Sequence, residues 1–384
     1  MSNTINYNDP TPFYEQIERD IKRKIDAGIL KPGDNIGSLN NLCKEYSVSI
    51  ITVKKAISNL VSKGILFTRV GKGTYVATPK RERVDFSKNK TIGLVLRDIK
   101  HPFFSLISNG IEERAYELGY NILLSSSSNK AEKEESQINH FRELGVDGLI
   151  IASLSLEYKA TDYIQRLHDE NFPYVMVSYI HDPHCWYVGS DHELGGYIAT
   201  EHLIKLGYKH IGYLHASKTN LLSEVRKNGY SRALRDYNIP YDSRLIYYLE
   251  QHEAGDIVDR YQQGYNFGKI FKNLDKKPEA LFIYSDLVAL GFQQSVLEEG
   301  IKVPDDVAIV GFDDIFFARY SQVPLTTIHQ PAEKIGSIAV DVIDKRIRKE
   351  DIGNRIILKP SLIVRESCGA KKRVITNSQV QVKK

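Results

Sequence analysis

Five charged residues and one aromatic ring stand where short apolar runs end or a helical stretch begins. Arg97 and Asp98 follow the run at 92–96 and Asp286 follows the run at 280–283, while Arg226 opens a helical stretch and Asp191 lies in the segment VGSDHELGG. Polar side chains just past a buried strand face either solvent or a bound molecule. Carboxylates and a guanidinium around neighbouring hydroxyls form paired, charge-assisted hydrogen bonds, and Phe103 offers an apolar face beside them. The competing reading for each charged residue is a salt bridge or a helix cap.

Other residue types that do chemistry lack the spacing for it. The acidic pair Asp313-Asp314 has no accompanying metal ligands and reads as structural. Eleven histidines include His181, His184, His202 and His210, with neither H-E-x-x-H nor finger spacing. There is no nucleophile elbow, phosphate loop or G-x-G-x-x-G. The expectation is therefore a binding protein, not an enzyme, with no metal and no cofactor. Cys43, Cys185 and Cys368 are odd in number and widely separated, which fits reduced, buried thiols. The aromatic cluster at 179–187, with Trp186, is either a lid or loop packing.

The elements that must position these residues fall into two sets. With 384 residues, 42% of them hydrophobic and 26% charged, the chain is an ordinary globular one and long enough for more than one domain. Residues 1–90 hold 16 Lys/Arg against nine Asp/Glu, about +7, which leaves about −3 for the remainder of a chain of net charge +4. A small basic module joined to a larger acidic one suggests that only the first meets a polyanion. No run of about eighteen apolar residues occurs and the start, MSNTINYNDPTP, is not a secretion signal, so a cytoplasmic protein without membrane contact is expected.

In the basic module, Ile17, Ile21 and Ile25 make one helical stripe closed by Gly28. Ser38 can cap a second helix with Leu39 and Leu42 inward, and a third helix runs over 50–63, burying Val53, Ile57, Leu60 and Val61. Its outer face carries Ile50, Ile51, Lys54, Lys55 and Ser58. A hairpin follows, with the cation Lys72 between Gly71 and Gly73 at its tip. A helix, a tight turn and a second helix with a lysine-bearing face place side chains in a major groove. Residues 79–90 read as a linker. From residue 91 apolar runs at 92–96, 120–124, 148–151, 174–177, 211–214, 280–283 and 307–310 alternate with amphipathic stretches, the texture of parallel sheets covered by helices. Two sets of such units predict two lobes with a cleft at the strands' carboxyl ends.

Residues 12–77 resemble the winged helix-turn-helix of the GntR family, through FYEQI at 13–17, G-x-L-x-P-G-D at 28–34, TVKKA at 52–56, L-x-x-x-G-I-L at 60–66 and GKGTYV at 71–76. The family's usual arginines are replaced by Asn40, Ile50 and Lys54. Residues 91–367 resemble the effector domain of the LacI/GalR family, through TIGLVLRDIKHPFFSLISNGIEERAYELGYN at 91–121, VDGLII at 146–151, HLIKLGYKHIGYL at 202–214, VRKNGYSRAL at 225–234, YSDLVALG at 284–291, and the VPDDVAIVGFDD and PLTTIHQP segments between 303 and 331. The combination resembles the arabinose-repressor group.

The resemblance implies an α/β chain in four parts: a winged helix-turn-helix over 1–78, a linker over 79–90, a two-lobed periplasmic-binding-protein-like domain for effector and dimerisation over 91–369, and a polar tail over 370–384. It places DNA contacts at Ser38, Ser49, Ile50, Thr52, Lys54, Lys55, Gly71, Lys72 and Gly73, and effector contacts at Arg97, Asp98, Phe103, Asp191, Arg226 and Asp286. The implied protein is a homodimeric repressor of carbohydrate-utilisation genes, released from a double-stranded operator by a small sugar. The alternative effector is a nucleobase or sugar phosphate acting as corepressor.

Overall fold

Ile17 and Ile21 lie one turn apart and are buried, as their spacing demands, in α1 (Phe13–Asp26). The computed structural model describes residues 5–7, 9–69, 73–77, 90–152, 161–177, 182–249, 259–350 and 352–371. The chain divides into two compact units, Met1–Val84 and Asp85–Lys384. In the first, α2 (Leu39–Tyr46) and α3 (Ile50–Ser62) each begin at a serine whose hydroxyl accepts a backbone N–H, Ser38 from Asn41 and Ser49 from Thr52. Between them Ser47 is left-handed at φ 52°, which makes the tight turn. Leu42, Tyr46, Val53, Ala56, Ile57 and Leu60 close the core against α1, and the antiparallel hairpin of β1 (Leu66–Arg69) and β2 (Gly73–Val76) completes it.

From Thr91 strands and helices alternate through β3 (Thr91–Leu96), α4 (Pro102–Leu118), β4 (Asn121–Ser126), α5 (Ala131–Glu143), β5 (Gly148–Ala152), α6 (Asp162–Asp169), β6 (Tyr174–Met176) and β7 (Tyr187–Ser190). They continue through α7 (His192–Lys205), β8 (Ile211–His215), α8 (Leu221–Asp236), β9 (Ile246–Tyr248), α9 (Arg260–Phe271), β10 (Ala280–Ile283), α10 (Asp286–Glu298), β11 (Ala308–Asp313), α11 (Phe316–Tyr320) and β12 (Thr326–His329). Last come α12 (Ala332–Ile347), β13 (Arg355–Leu358) and β14 (Ser361–Ile363).

Two six-stranded sheets result. Lobe one is ordered β13-β7-β6-β5-β3-β4 and is parallel throughout. Lobe two is ordered β14-β12-β11-β10-β8-β9 and is parallel except for the antiparallel β12–β14 pair. The chain passes between the lobes three times, after β7, after β12 and after β13.

Three helix pairs are drawn together by reciprocal glycines. A β-carbon on Gly110 of α4 would lie 2.0 Å from the Glu333 carbonyl oxygen of α12, and one on Gly336 would lie 2.2 Å from that of Ile107. Gly196 and Gly229 do the same for α7 and α8, and Gly264 and Gly291 for α9 and α10. Only a missing side chain lets the backbones approach so closely.

Five strands, β7, β9, β12, β13 and β14, lie outside the apolar runs that the sequence displays. Trp186 is no lid: its ring lies 3.6 Å from the Arg346 guanidinium and against Tyr174 and His168, on lobe one. Tyr179 and His181 lie outside the described residues, as do the linker at 79–89 and the tail from 372.

Candidate functional site

On the first unit, α3 presents Ile50, Ile51, Lys54, Lys55 and Ser58 to solvent, opposite its buried stripe. Ile51 is 76% exposed. The Lys55 ammonium sits 4.3 Å from the Tyr14 ring centre, while no ion pair holds Lys54 among the described residues. Ser49 caps the helix, its hydroxyl accepting the Thr52 N–H at 3.3 Å and lying 2.9 Å from the Thr52 hydroxyl. In the hairpin, Phe67 and Tyr75 stack at 5.6 Å with the Arg69 guanidinium over both rings. Gly73 has φ 112° and abuts the Asn35 amide, a position closed to larger residues. Gly71 and Lys72 lie outside the described residues.

The second unit gathers charge between its lobes. Arg226 lies in the second turn of α8 instead of at its start. It is buried, donating to the Tyr284 carbonyl oxygen, with Nη2 3.4 Å from His192 Nδ1 and 3.6 Å from Asp313 Oδ1. Its guanidinium carbon stands 3.6 Å from the Phe312 ring centre, and its Nε has no hydrogen-bond partner among the described residues. Burial, then the charge of Arg226, holds His192 well below the usual histidine range, so the imidazole is neutral and its Nδ1 can accept.

Asp286 does not end a strand. It is the first residue of α10, fully buried, accepting from Thr327 Oγ1 at 2.6 Å and from the Ile315 N–H at 3.0 Å. A β-carbon on Gly311 would lie 2.2 Å from its carboxylate, so the glycine makes the room. Burial first, then the negative charge of Asp313, pushes the Asp286 carboxyl up toward its protonated form. Burial also raises Asp313, opposed by Arg226 and by the Gln330 amide at 2.7 Å. Asp313 thus belongs to the site, whereas Asp314 is tied to Arg365 at 2.6 Å and to His329 at 3.0 Å.

Of the remaining sequence candidates, Arg97 joins this centre. Its charge and those of Arg260 and Arg226 all reach His101, which burial and these three cations push down to about 3. Phe103 is half-buried, edge-on to Phe104, whose ring faces Arg97 at 5.9 Å. Asp98 accepts the Lys100 N–H with one carboxylate oxygen, and Asp191 caps α7 through the Leu194 N–H, the helix-cap outcome that placement alone left open. His101, His192, Arg260, Tyr284 and Phe312 escaped the sequence reading. Arg260 had no strand before it to flag it, and the aromatics resemble core residues. Among the described residues, no group of three or more His, Cys, Asp or Glu side chains is placed to hold a metal, and no helix is long and apolar enough to cross a membrane.

A basic helix-turn-helix on one unit and a charged interlobe centre on the other define a class, the DNA-binding transcriptional regulator with a sensor domain. Residues 13–76 match the family model for bacterial regulatory proteins of the gntR family, and residues 200–368 match that for the periplasmic binding protein-like domain. The chain is 32% identical to an arabinose metabolism transcriptional repressor of Halalkalibacterium halodurans over 92% of its length and 96% of that protein's, and 32% identical to its counterpart in Geobacillus stearothermophilus over 93% and 97%. The body superposes on a LacI family transcriptional regulator from Enterococcus faecium solved with bound ribose, with TM-score 0.62, 28% identity, and coverage of 72% of this chain and 98% of the other. A CelR–cellobiose complex gives TM-score 0.63 at 26% identity, covering 83% and 91%. The chain belongs to the family of these transcriptional repressors, a GntR head joined to a LacI-type sensor.

Proposed function

We propose that the protein represses carbohydrate-utilisation genes as a homodimer on a double-stranded operator and is released when a small sugar enters the interlobe site. The observation that carries this reading is the convergence of Arg97 and His101 from lobe one with Arg226 from lobe two, since a molecule held by both lobes fixes their orientation. The repressors and the ribose and cellobiose complexes named above support a sugar.

Arg97, Phe103 and Arg226 contact the effector, with Asp286 acting through Asp313, while Asp98 and Asp191 shape the loops that carry these residues. Ser38, Ser49, Ile50, Thr52, Lys54, Lys55 and the wing at 71–73 contact DNA. Ile50 brings methyl groups to the groove where the family has arginine, with Ile51 beside it, which favours a thymine methyl over a guanine edge. The chain acts in the cytoplasm and performs no catalysis.

The dimer reading rests on α11, where Phe316, Phe317 and Tyr320 are 69%, 57% and 65% exposed and form one aromatic patch. A second copy covers it and holds two heads at two half-sites.

Fluorescence anisotropy on the DNA upstream of the protein's own gene tests the reading. Lys54→Ala is expected to weaken binding and to lower the salt slope by about one, and a pentose is expected to release the wild type. Unchanged affinity and slope would show that α3 does not face the groove.

A further inference from the structure

The head carries little arginine where it is read as meeting DNA. Of the three arginines among residues 1–77, Arg19 and Arg23 lie on α1 and only Arg69 lies on the hairpin, while α3 offers lysines and isoleucines. A lysine ammonium is a compact, strongly hydrated charge suited to a phosphate. A guanidinium is planar, more weakly hydrated and carries five donors. Between α3 and the hairpin, Arg69 is the one side chain with that chemistry.

Its position is fixed by the register of the hairpin. Arg69 stands opposite Gly73 at the end of β1, and Phe67 stands opposite Tyr75 two residues back on the same face. Thr68 and Thr74 occupy the other face, their hydroxyls 3.3 Å apart. The guanidinium carbon lies 5.4 Å from the Phe67 ring centre and 5.6 Å from that of Tyr75, over rings that themselves stack. Arg69 is exposed, and among the described residues its guanidinium makes no ion pair and no hydrogen bond. Cation–π attraction to the rings limits its freedom before any partner arrives, while its donors stay unclaimed.

We propose that Arg69 is a specificity-determining residue of the DNA contact: its guanidinium enters the minor groove beside the α3 contact and favours the narrow groove of A·T-rich sequence. This rests on the reading of the head as the DNA-binding unit, and it names a feature of the operator that the head reads. With α3 in the major groove, the hairpin that shares its core through Leu66 and Val76 meets the phosphate ridge and the groove beyond it. A narrow minor groove concentrates negative potential. A group entering it must shed water, which costs a guanidinium less than an ammonium.

Fluorescence anisotropy on the full-length protein tests this with two duplexes. Both carry the footprinted DNA upstream of the protein's own gene, with the base pairs flanking each protected major-groove segment made all A·T in one and all G·C in the other. The wild type is expected to bind the G·C-flanked duplex about tenfold more weakly, the usual scale for a disfavoured position. Arg69→Ala is expected to lose about tenfold on the A·T-flanked duplex and to bind both alike. Arg69→Lys keeps the charge, so it is expected to keep the salt slope and lose the preference. A purely structural role for Arg69 would weaken both duplexes by the same factor and leave the preference intact. A wild type indifferent to the flanks, or a preference that survives in either variant, would overturn the assignment and leave the head's DNA reading standing. Wild-type protein that binds neither duplex would overturn both.

Discussion

Asp286 and Asp313 show how a single residue can carry a measurable signature of its surroundings. Both carboxyls titrate above their unfolded values, Asp286 because it is buried and feels the charge of Asp313, and Asp313 because it is buried. Between the ordinary carboxylate range and neutrality the folded chain therefore retains protons that the unfolded chain has lost, so this pair's contribution to stability falls as pH rises. Asp286→Asn removes one titration and is expected to flatten the stability profile between about pH 4.5 and 8 relative to the wild type, by at most about 1.4 kcal/mol per pH unit. Urea unfolding across that window checks it, and parallel profiles would refute it. Legibility at this scale was uneven. Family motifs mark Arg97, Arg226 and Asp286 in the sequence, though the strand-end argument holds only for Arg97. Asp313 reads as structural because an acidic pair without metal ligands looks inert in sequence, and only the fold brings Arg226 within 3.6 Å of it. His101 caps α4 and Arg260 opens α9, and their approach depends on two separate lobes.

Among the elements, α1 to α3 of the head and the seven apolar runs were legible because burial leaves a period in the sequence. The strands that escaped are short: β9 and β14 have three residues and β7, β12 and β13 have four, too few to show alternation. The glycine pairs were equally silent, since nothing local distinguishes a glycine in a helix contact from one in a turn. Their roles separate experimentally. In Gly196→Ala the new methyl meets the backbone carbonyl of Arg226 itself at 2.0 Å. The expected result is a loss of about 1–3 kcal/mol together with a weakened effector response. Gly336→Ala presses on the Ile107 carbonyl oxygen in lobe one at 2.2 Å and should cost a similar amount while sparing Arg226. Urea midpoints beside effector titrations distinguish the two, and an unimpaired response in Gly196→Ala would detach α8 packing from the site.

For the whole molecule, the exposed aromatic patch on α11 makes oligomeric state the decisive quantity. Replacing Phe316 and Tyr320 together by glutamate places charge in a surface that must be desolvated on pairing. Sedimentation is expected to show a monomer, with operator affinity reduced because one head alone loses half of the phosphate contacts. A dimer that survives would move the interface elsewhere.

The three passages between lobes also set a timetable for making the protein. The ribosome releases β3 to β7 first, yet α12 and β13, which finish lobe one, follow only after lobe two has been threaded out. At bacterial elongation rates that interval is on the order of ten seconds. Throughout it the outer edge of β7 lacks its partner strand, and the face of α4 that carries Gly110 is bare. Lobe two in turn waits for β14. Neither half can close before the last strands emerge, so the nascent chain carries an unfinished sheet edge for nearly half of its synthesis and is a natural client for chaperones that shield such edges.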